Sequence, residues 1–184
     1  DWRLTGKNDY SGTTVITAGR LIVNGQHTGK GIVTVRKGAT LAGTGSLAGA
    51  VTVNIGGTLQ VGDTLVTDHG LTFSGGLKLN NGAILQVNDA MMDHNYQAGD
   101  EIHAFSGNVT GTFSEIQPAI PGEGLIWDTS ELYAKGLLKV AAGSSIGNIL
   151  TEKENSSVYD LTGHRHTTAS KGIFIQDNKK IVRK

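Results

Sequence analysis

The amino-acid sequence predicts an all-β protein built on a short parallel β-helix, a solenoid of stacked strands. Short runs that alternate apolar and polar residues recur at 14–21, 33–41, 51–59 and 77–85. Each run breaks at a glycine and resumes with a leucine two or three residues later. The four glycines lie 19, 18 and 26 residues apart (38 − 19, 56 − 38, 82 − 56). A period of about 20 residues is typical of stacked repeats, which favours scaffold and binding roles over catalysis.

Composition supports this fold class. The chain has 184 residues with 27 glycines, only two prolines and 5% aromatic residues. Abundant glycine, threonine, valine and asparagine is typical of β-strands joined by many turns. No stretch places apolar residues at the three- and four-residue spacing of a helix face. A chain of this length is enough for one domain, or for one domain with a small second one.

Charge and cysteine content exclude several classes of function. The formal net charge is zero, so no overall field attracts nucleic acid or an anionic membrane, and we expect no nucleic-acid partner. The chain has no cysteine, which excludes disulfides and thiolate catalysis. No apolar run approaches the roughly 18 residues of a membrane helix, so no membrane span is predicted. The sequence begins inside what looks like a repeat, and we expect it to be part of a longer protein.

The pattern changes twice along the chain. Residues 1–140 are predicted to form the solenoid with its cap: the stacked region ends near residue 90, and an antiparallel, aromatic-rich cap follows over 91–140. Residues 141–150 are predicted to be a linker. Residues 151–184 are predicted to form a small C-terminal β tail, with strands at 157–161, 172–175 and 181–182 and seven basic against four acidic residues. About 34 residues are too few for an independent core, so we expect the tail to dock or stay loosely attached.

Two segments resemble known families. Leu4-Thr-Gly-Lys-Asn8, Tyr10-Ser-Gly-Thr-Thr-Val-Ile-Thr-Ala-Gly19 and Leu41-Ala-Gly-Thr-Gly-Ser-Leu47 are similar to the autotransporter-associated β-strand repeat of bacterial surface proteins. Residues 111–136 look like the segment that often closes such regions. This resemblance covers about residues 1–140 and implies a secreted, surface-displayed β-helix.

The second resemblance covers about residues 157–184. Val158-Tyr-Asp-Leu-Thr-Gly-His-Arg165, Lys171-Gly-Ile-Phe-Ile175 and Lys179-Lys-Ile-Val-Arg-Lys184 resemble the C-terminal sorting-type domain of Bacteroidetes secreted proteins. Phe174 stands where that family commonly has tyrosine. The resemblance implies that secretion machinery is a partner of the tail.

Candidate catalytic and metal-binding residues are few. Asp68-His69 lies near Asp63 in the sequence, Asp93-His94 lies near Asp89, and His164 and His166 alternate in the tail. None has the spacing of a helical metal motif and all adjoin turn residues, so solvated turns are the favoured interpretation.

Carboxylates and basic residues give no catalytic pattern either. Asp100-Glu101 and Glu115 with Glu123 are the obvious carboxylate pairs for glycoside chemistry. The basic residues of the repeat, such as Arg20 and Arg36, fall at differing phases and are not expected to line up with acids. We therefore predict no catalytic residue, no metal site and no cofactor, and expect the chain not to be an enzyme.

Aromatic side chains are the remaining candidate contacts. Trp2, Tyr10, Trp127 and Tyr133 could form a stacking platform for sugars, although packing in the core or cap is the favoured interpretation. Trp127 and Tyr133 are the candidate contacts for a glycan or another surface protein.

These observations predict a non-catalytic structural or adhesive module. It would form the C-terminal part of a larger bacterial protein that is secreted or held at the outer cell surface. The alternative is an accessory carbohydrate-binding module of a secreted polysaccharide-degrading enzyme. A catalytic β-helix fragment is the third hypothesis.

Overall fold

A computed structural model describes residues 1–63, 69–87 and 96–143 in full, and the backbone of four strands between residues 158 and 183. The chain divides into two compact units, Asp1–Gly143 and Ser144–Lys184. Each unit is described by itself.

Short strands make up most of the described part of the first unit, and the elements named here are those of the described residues. In chain order its elements are β1 (Trp2–Leu4), β2 (Lys7–Asn8), β3 (Thr14–Ile16), β4 (Gly19–Val23), β5 (Gln26–His27), β6 (Val33–Val35), β7 (Ala39–Ala42), β8 (Ser46–Leu47), β9 (Val51–Val53), β10 (Thr58–Gln60), β11 (Thr72–Leu79), β12 (Ile84–Gln86), β13 (Glu101–His103), β14 (Ser106–Thr110), β15 (Glu115–Gln117), β16 (Leu125–Asp128), the one-turn helix α1 (Leu132–Lys135) and β17 (Leu137–Ala142).

Six parallel strands form the first sheet, in the order β1-β4-β7-β10-β12-β15. Leu21, Leu41, Leu59 and Leu85 lie opposite one another in this register, and the last three are fully buried. Thr40 and Thr58 precede these leucines and are only half-buried. The leucines that follow each glycine in the sequence therefore form one column of the core, because alternate residues of a strand point to opposite faces.

The second sheet has eight strands and is also parallel, with the path β2-β5-β8-β11-β9-β6-β3 and β14 paired to β11. The long strand β11 joins two rows of short strands. Its first residues pair with β8 and its last residues pair with β9. We call the segment that supplies strands to both sheets a layer, and β1–β3, β4–β6 and β7–β9 are three successive layers.

Glycine turns connect each layer to the next, as the repeat predicts. Gly38, Gly56 and Gly82 have φ values of 75°, 68° and 94°, a region that glycine occupies without steric cost. The N–H of Gly38 donates to the carbonyl of Gly56 at 2.8 Å, and that of Gly56 to the carbonyl of Gly82 at 2.7 Å. The prediction of an all-β chain with parallel strand pairing is confirmed.

The sequence led us to expect that the stacked region ends near residue 90, but it continues beyond that point. Strand β14 adds to β11, with Thr72 opposite Ser106, and β15 adds to β12, with Leu85 opposite Ile116. The prediction was wrong because long connections separate these strands from their partners. Such connections remove the regular spacing without preventing the strands from stacking.

A separate antiparallel sheet, β13-β17-β16, is formed by strands that flank β14 and β15 along the chain. Ile102 pairs with Leu138, and Trp127 pairs with Val140. Helix α1 ends at Gly136, whose φ is 70°. Phe105, Phe113, Leu132 and Leu138 belong to the same buried cluster as the core of the stack. The predicted antiparallel segment over 91–140 is thus present, but it shares that range with the parallel strands β14 and β15.

In the second unit the structure describes four antiparallel strands, in the order β19-β18-β20-β21. They are β18 (Val158–Asp160), β19 (Arg165–His166), β20 (Gly172–Gln176) and β21 (Lys179–Arg183). Three of them lie where the sequence predicts strands. Of the predicted linker, residues 141 and 142 belong to β17 and residues 144–150 lie outside the described residues. In the part of the chain that the structure describes, no helix has the length and apolar character needed to cross a membrane.

Candidate functional site

The connection from the first sheet to the second lengthens along the stack. It comprises residues 5–6, 24–25 and 43–45 in the first three layers, then residues 61–71 and finally 87–105. These connections emerge at the same corner of successive layers. Insertions in repeat proteins often carry the binding face. We call the described part of the two long connections, residues 61–63, 69–71, 87 and 96–105, the insertion corner, and regard it as the candidate functional region.

Two histidines meet at the insertion corner. His69 and His103 face each other across a parallel β-bridge, and both side chains are exposed. The N–H of Gly70 donates to the carbonyl of His103 at 2.8 Å. Sequence reasoning instead grouped His69 with its chain neighbours Asp68 and Asp63. The pairing with His103 was missed because it depends on the register of segments that lie far apart in the sequence.

Asp63 is a buried residue rather than part of a solvated turn, and this corrects the sequence-based interpretation. Only 2% of it is exposed. Its Oδ2 accepts a hydrogen bond from Asn24 Nδ2 and one from Arg3 Nη1 at 3.4 Å. Asn24 Oδ1 in turn accepts from the N–H of Thr44 at 3.3 Å. The carboxylate therefore links the start of the insertion corner to the first layer through Arg3 and to the second through Asn24, which also bonds to the third.

The expectation that Arg20 does not line up with acids was also wrong. Its Nε donates to Asp1 Oδ1 at 3.3 Å, and its Nη1 donates to Gln60 Oε1 at 3.2 Å. Arg20 thus bridges residues that lie 19 and 40 positions away in the sequence. Its partners place it in a structural role that links layers.

His27 is a further residue that the sequence did not single out. It is 1% exposed, its Nδ1 donates to the carbonyl of Asn8 at 3.1 Å, and the ring of Tyr10 lies over it at 4.3 Å. In the sequence, only the alternation of exposed Gln26 and buried His27 along β5 could have indicated that His27 faces the core. His27 lies opposite Leu47 of the next layer, which is a core residue.

Trp127 and Tyr133 are half-buried and pack against the core cluster with different partners. Trp127 Nε1 donates to the carbonyl of Pro118 at 2.8 Å, and its ring meets Tyr96 edge-on at 5.5 Å. The hydroxyl of Tyr133 accepts from the N–H of Phe113 at 3.0 Å, and the two rings stack at 6.3 Å. Their role as contacts for a glycan or a partner protein stays a prediction.

The other two aromatic candidates lie in the first layer. Trp2 is 81% exposed and Tyr10 is 42% exposed. The hydroxyls of Tyr10 and Thr14 lie 3.1 Å apart and share a hydrogen bond. The first layer lies at one end of the first sheet and β15 at the other. Trp127 belongs to β16 and Tyr133 to α1, so the two pairs of aromatic residues lie on different elements.

Carboxylates near the antiparallel sheet are paired with cations. Lys139 Nζ lies 3.2 Å from Glu101 Oε1 and 3.1 Å from Glu131 Oε2. Hydrogen bonds from Lys135 and Lys139 lower the pKa of Glu131, and hydrogen bonds to Glu131 and Glu101 raise the pKa of Lys139. The lowered pKa holds the Glu131 carboxylate in its charged form, and the same ammonium group also pairs with Glu101. Glu131 is therefore not the protonated acid that glycoside chemistry requires.

Neighbouring polar groups have local partners as well. Asp100 Oδ2 accepts from the N–H of Gln97 at 2.8 Å, and Glu115 Oε1 accepts from Gln117 Nε2 at 2.8 Å. Burial, with a smaller contribution from the charge of Asp100, raises the pKa of Tyr96 to about 12. The N–H of Ser130 lowers the pKa of Asp128 by hydrogen bonding to its carboxylate.

Within the described residues, no group of three or more histidine, cysteine, aspartate or glutamate side chains is arranged to hold a metal ion. The candidate group of Asp89, Asp93 and His94 lies outside the described residues, as do Asp68 and His164. His166 lies on β19, of which the structure describes the backbone.

Comparisons with known proteins support the first of the two sequence resemblances. A family model described as Passenger-associated-transport-repeat matches residues 1–23, which carry β1 to β4. A segment of 60 residues, 32% of this chain, is 48% identical to the adhesin BmaC autotransporter of Brucella suis biovar 1 (strain 1330). The chain spans only 2% of the length of that protein. No solved structure matches the chain significantly. The N-terminal region is therefore similar to autotransporter repeats, whereas the sorting-type resemblance of the tail stays a prediction.

Proposed function

We propose that this chain is a non-catalytic structural and adhesive module of a larger bacterial protein displayed at the outer cell surface. One observation carries the proposal. Residues 1–23, the first layer and the first strand of the second, match a passenger-associated repeat, and the strands that stack on them continue in parallel register to Gln117. A repeat of this kind would supply a rigid support that holds a binding surface away from the cell.

We further infer that the two parallel sheets belong to one β-solenoid. Each layer hydrogen-bonds to the next through both sheets and through the glycine turns, so every layer depends on its neighbours. Each added layer extends such a stack by about 4.8 Å, the spacing of paired strands. This architecture suits a spacer, because its stiffness comes from backbone hydrogen bonds rather than from particular side chains.

The polar groups of the first unit support a non-catalytic role. Asp63, Glu101 and Glu131 each bind a cationic partner, and Arg20 binds Asp1. Side chains with such partners act in holding layers and loops together. No observation favours the carbohydrate-binding alternative, since Trp127 and Tyr133 are engaged in packing.

The adhesive role can be tested by displaying the full chain on a non-adherent bacterium. Attachment to immobilised matrix proteins and to epithelial cells would be counted against cells that carry the display scaffold alone. We expect several-fold more attached cells with the full chain. Gly45→Leu, which should lose the fold because the glycine touches the backbone of the previous layer, should abolish the gain. Equal attachment with and without the chain on every surface would overturn the adhesive part of the proposal.

A glycan array separates the two binding hypotheses. Reproducible binding that is lost in Trp127→Ala and retained in Trp127→Phe would favour the carbohydrate-binding module instead.

We propose that residues 151–184 serve export or attachment, as their sequence resemblance implies. A reporter protein fused to this tail should leave the cell when expressed in a Bacteroidetes host, whereas the reporter alone should stay inside. Retention of both proteins in the cell would refute an export role.

A further inference from the structure

We propose that His69 and His103 form a two-histidine site for a divalent first-row transition-metal ion at the insertion corner. The site does not depend on the proposed adhesive role. It rests on the way the parallel strands align two distant connections.

The register of the neighbouring strands determines this pairing. The sequence offset between His69 and His103 (103 − 69) equals the offset between Thr72 and Ser106 (106 − 72) in the pairing of β11 with β14. The Gly70 N–H donates to the His103 carbonyl at 2.8 Å, and the Ser106 N–H donates to the Leu71 carbonyl at 3.0 Å. The two histidines therefore form an isolated bridge that keeps the register of the β11–β14 pair, three residues before that pair begins.

Paired positions on parallel strands suit chelation. Residues in register on neighbouring strands lie about 4.8 Å apart, and their side chains leave the sheet on the same side. Imidazole nitrogens bind Zn²⁺ at about 2.0–2.1 Å, so two rings rooted one strand spacing apart can reach a single ion. Both side chains are exposed, which leaves the ion's other coordination positions open to water or to a partner's group. Imidazole ligands favour Cu²⁺, Ni²⁺ and Zn²⁺ among the common divalent ions.

Buried neighbours hold the two backbones in place. Leu71 and Phe105 each follow their histidine by two residues, and both belong to the core cluster. On its other side β13 pairs with β17, where His103 lies opposite the neutral Leu137. Lys139 is the nearby cation on β17, opposite Glu101, and it is bound to Glu101 and Glu131. The paired positions are therefore anchored, and the nearest positive charge on β17 is compensated.

Metal binding would join the two long connections. Residues 61–71 and 87–105 supply one ligand each, so an ion that binds only the folded arrangement stabilises it by mass action.

The test uses the full chain carrying His164→Ala and His166→Ala, which removes the histidine pair of the tail. Calorimetric titration with Zn²⁺, Ni²⁺ or Cu²⁺ alone should show one ion per chain. His69→Ala and His103→Ala should each weaken binding by about tenfold or more, and the double variant should weaken it no further, because a chelate is lost with either ligand. The matched controls Thr72→Ala and Ser106→Ala alter a nearby exposed pair in the same register and should leave affinity unchanged.

Thermal unfolding gives a second measurement. Metal should raise the melting temperature of the parent and of both controls, but not that of either histidine variant. Without metal, all variants should keep the circular dichroism spectrum of the parent, since the substituted side chains are exposed. Unchanged affinity in both single variants would overturn the proposal. So would losses that add in the double variant, which indicate two independent histidines.

Discussion

At the residue scale, glycines serve this fold in two physically different ways. Gly38 has a φ of 75° with open space where a Cβ would lie, so only its conformation requires glycine. Gly45 has no such dihedral constraint, but a Cβ there would lie 2.1 Å from the carbonyl oxygen of Gly25 in the previous layer. The first kind closes a turn, and the second allows two layers to touch.

We predict that Gly45→Ala destabilises the first unit more than Gly38→Ala does. Gly38→Ala should cost about 1–2 kcal/mol, the penalty for a left-handed conformation in a residue with a side chain. Gly45→Ala must push backbone against backbone, so its cost should be larger. Gly12→Ala is the control, because Gly12 is exposed and has open space around it. Urea unfolding of the three variants checks the order, and equal losses would contradict it.

Asp63 shows how a single polar side chain can secure an insertion. We predict that Asp63→Asn lowers the free energy of unfolding by about 1–3 kcal/mol, because the hydrogen bonds from Arg3 and Asn24 lose the negative charge of their acceptor. Asp9→Asn removes an exposed carboxylate and serves as the control. Denaturant titration of both variants gives the comparison, and equal stability of the two would show that the buried contacts contribute nothing.

At the element scale, the antiparallel sheet packs aromatic residues beside the stacked strands. Tyr96 lies edge-on to Trp127 of β16, and the N–H of Gln97 donates to Asp100 in the same turn. The sequence indicated this segment by its concentration of aromatic residues. It did not indicate that β14 and β15 leave the segment to join the parallel sheets.

We predict that the first unit loses stability in alkaline solution as Tyr96 ionises. Burial and Asp100 raise its pKa from 10.0 to about 12, so the folded state favours the neutral phenol. This contribution is fully present below pH 10 and is lost as the pH rises through about 12. Unfolding experiments across this range should show a weaker pH dependence in Tyr96→Phe than in the parent. A phenol absorbance titration should assign the transition near pH 12 to Tyr96, and a difference spectrum that titrates near pH 10 would contradict it.

At the scale of the whole molecule, the boundary at Gly143 separates two units of very different size. We predict that Asp1–Gly143 folds without Ser144–Lys184, because the described members of the core cluster all lie within it. Its far-ultraviolet circular dichroism and melting temperature should match those of the first unit in the full chain. Ser144–Lys184 alone should unfold without cooperativity, since a chain this short buries too little apolar surface. A fragment 1–143 that is unfolded at room temperature would show that the first unit needs the tail.

Local features of the sequence determined much of this fold. Glycines such as Gly38 and Gly56 mark turns because positive φ is a property of the residue itself. The alternation around Leu41 and Leu59 predicts a strand with one buried face for an equally local reason. Both signals recur together at a nearly constant interval in the first layers, so parallel stacking follows from the sequence alone.

The tertiary structure alone decided which distant residues meet. His69 pairs with His103, Asp63 accepts a hydrogen bond from Arg3 of the first strand, and β15 pairs with β12. Each of these contacts spans a connection whose length differs from layer to layer, so sequence spacing carries no record of it. Hydrogen bonding between neighbouring strands sets the register across those connections. The candidate metal site exists only because that register brings two loops together.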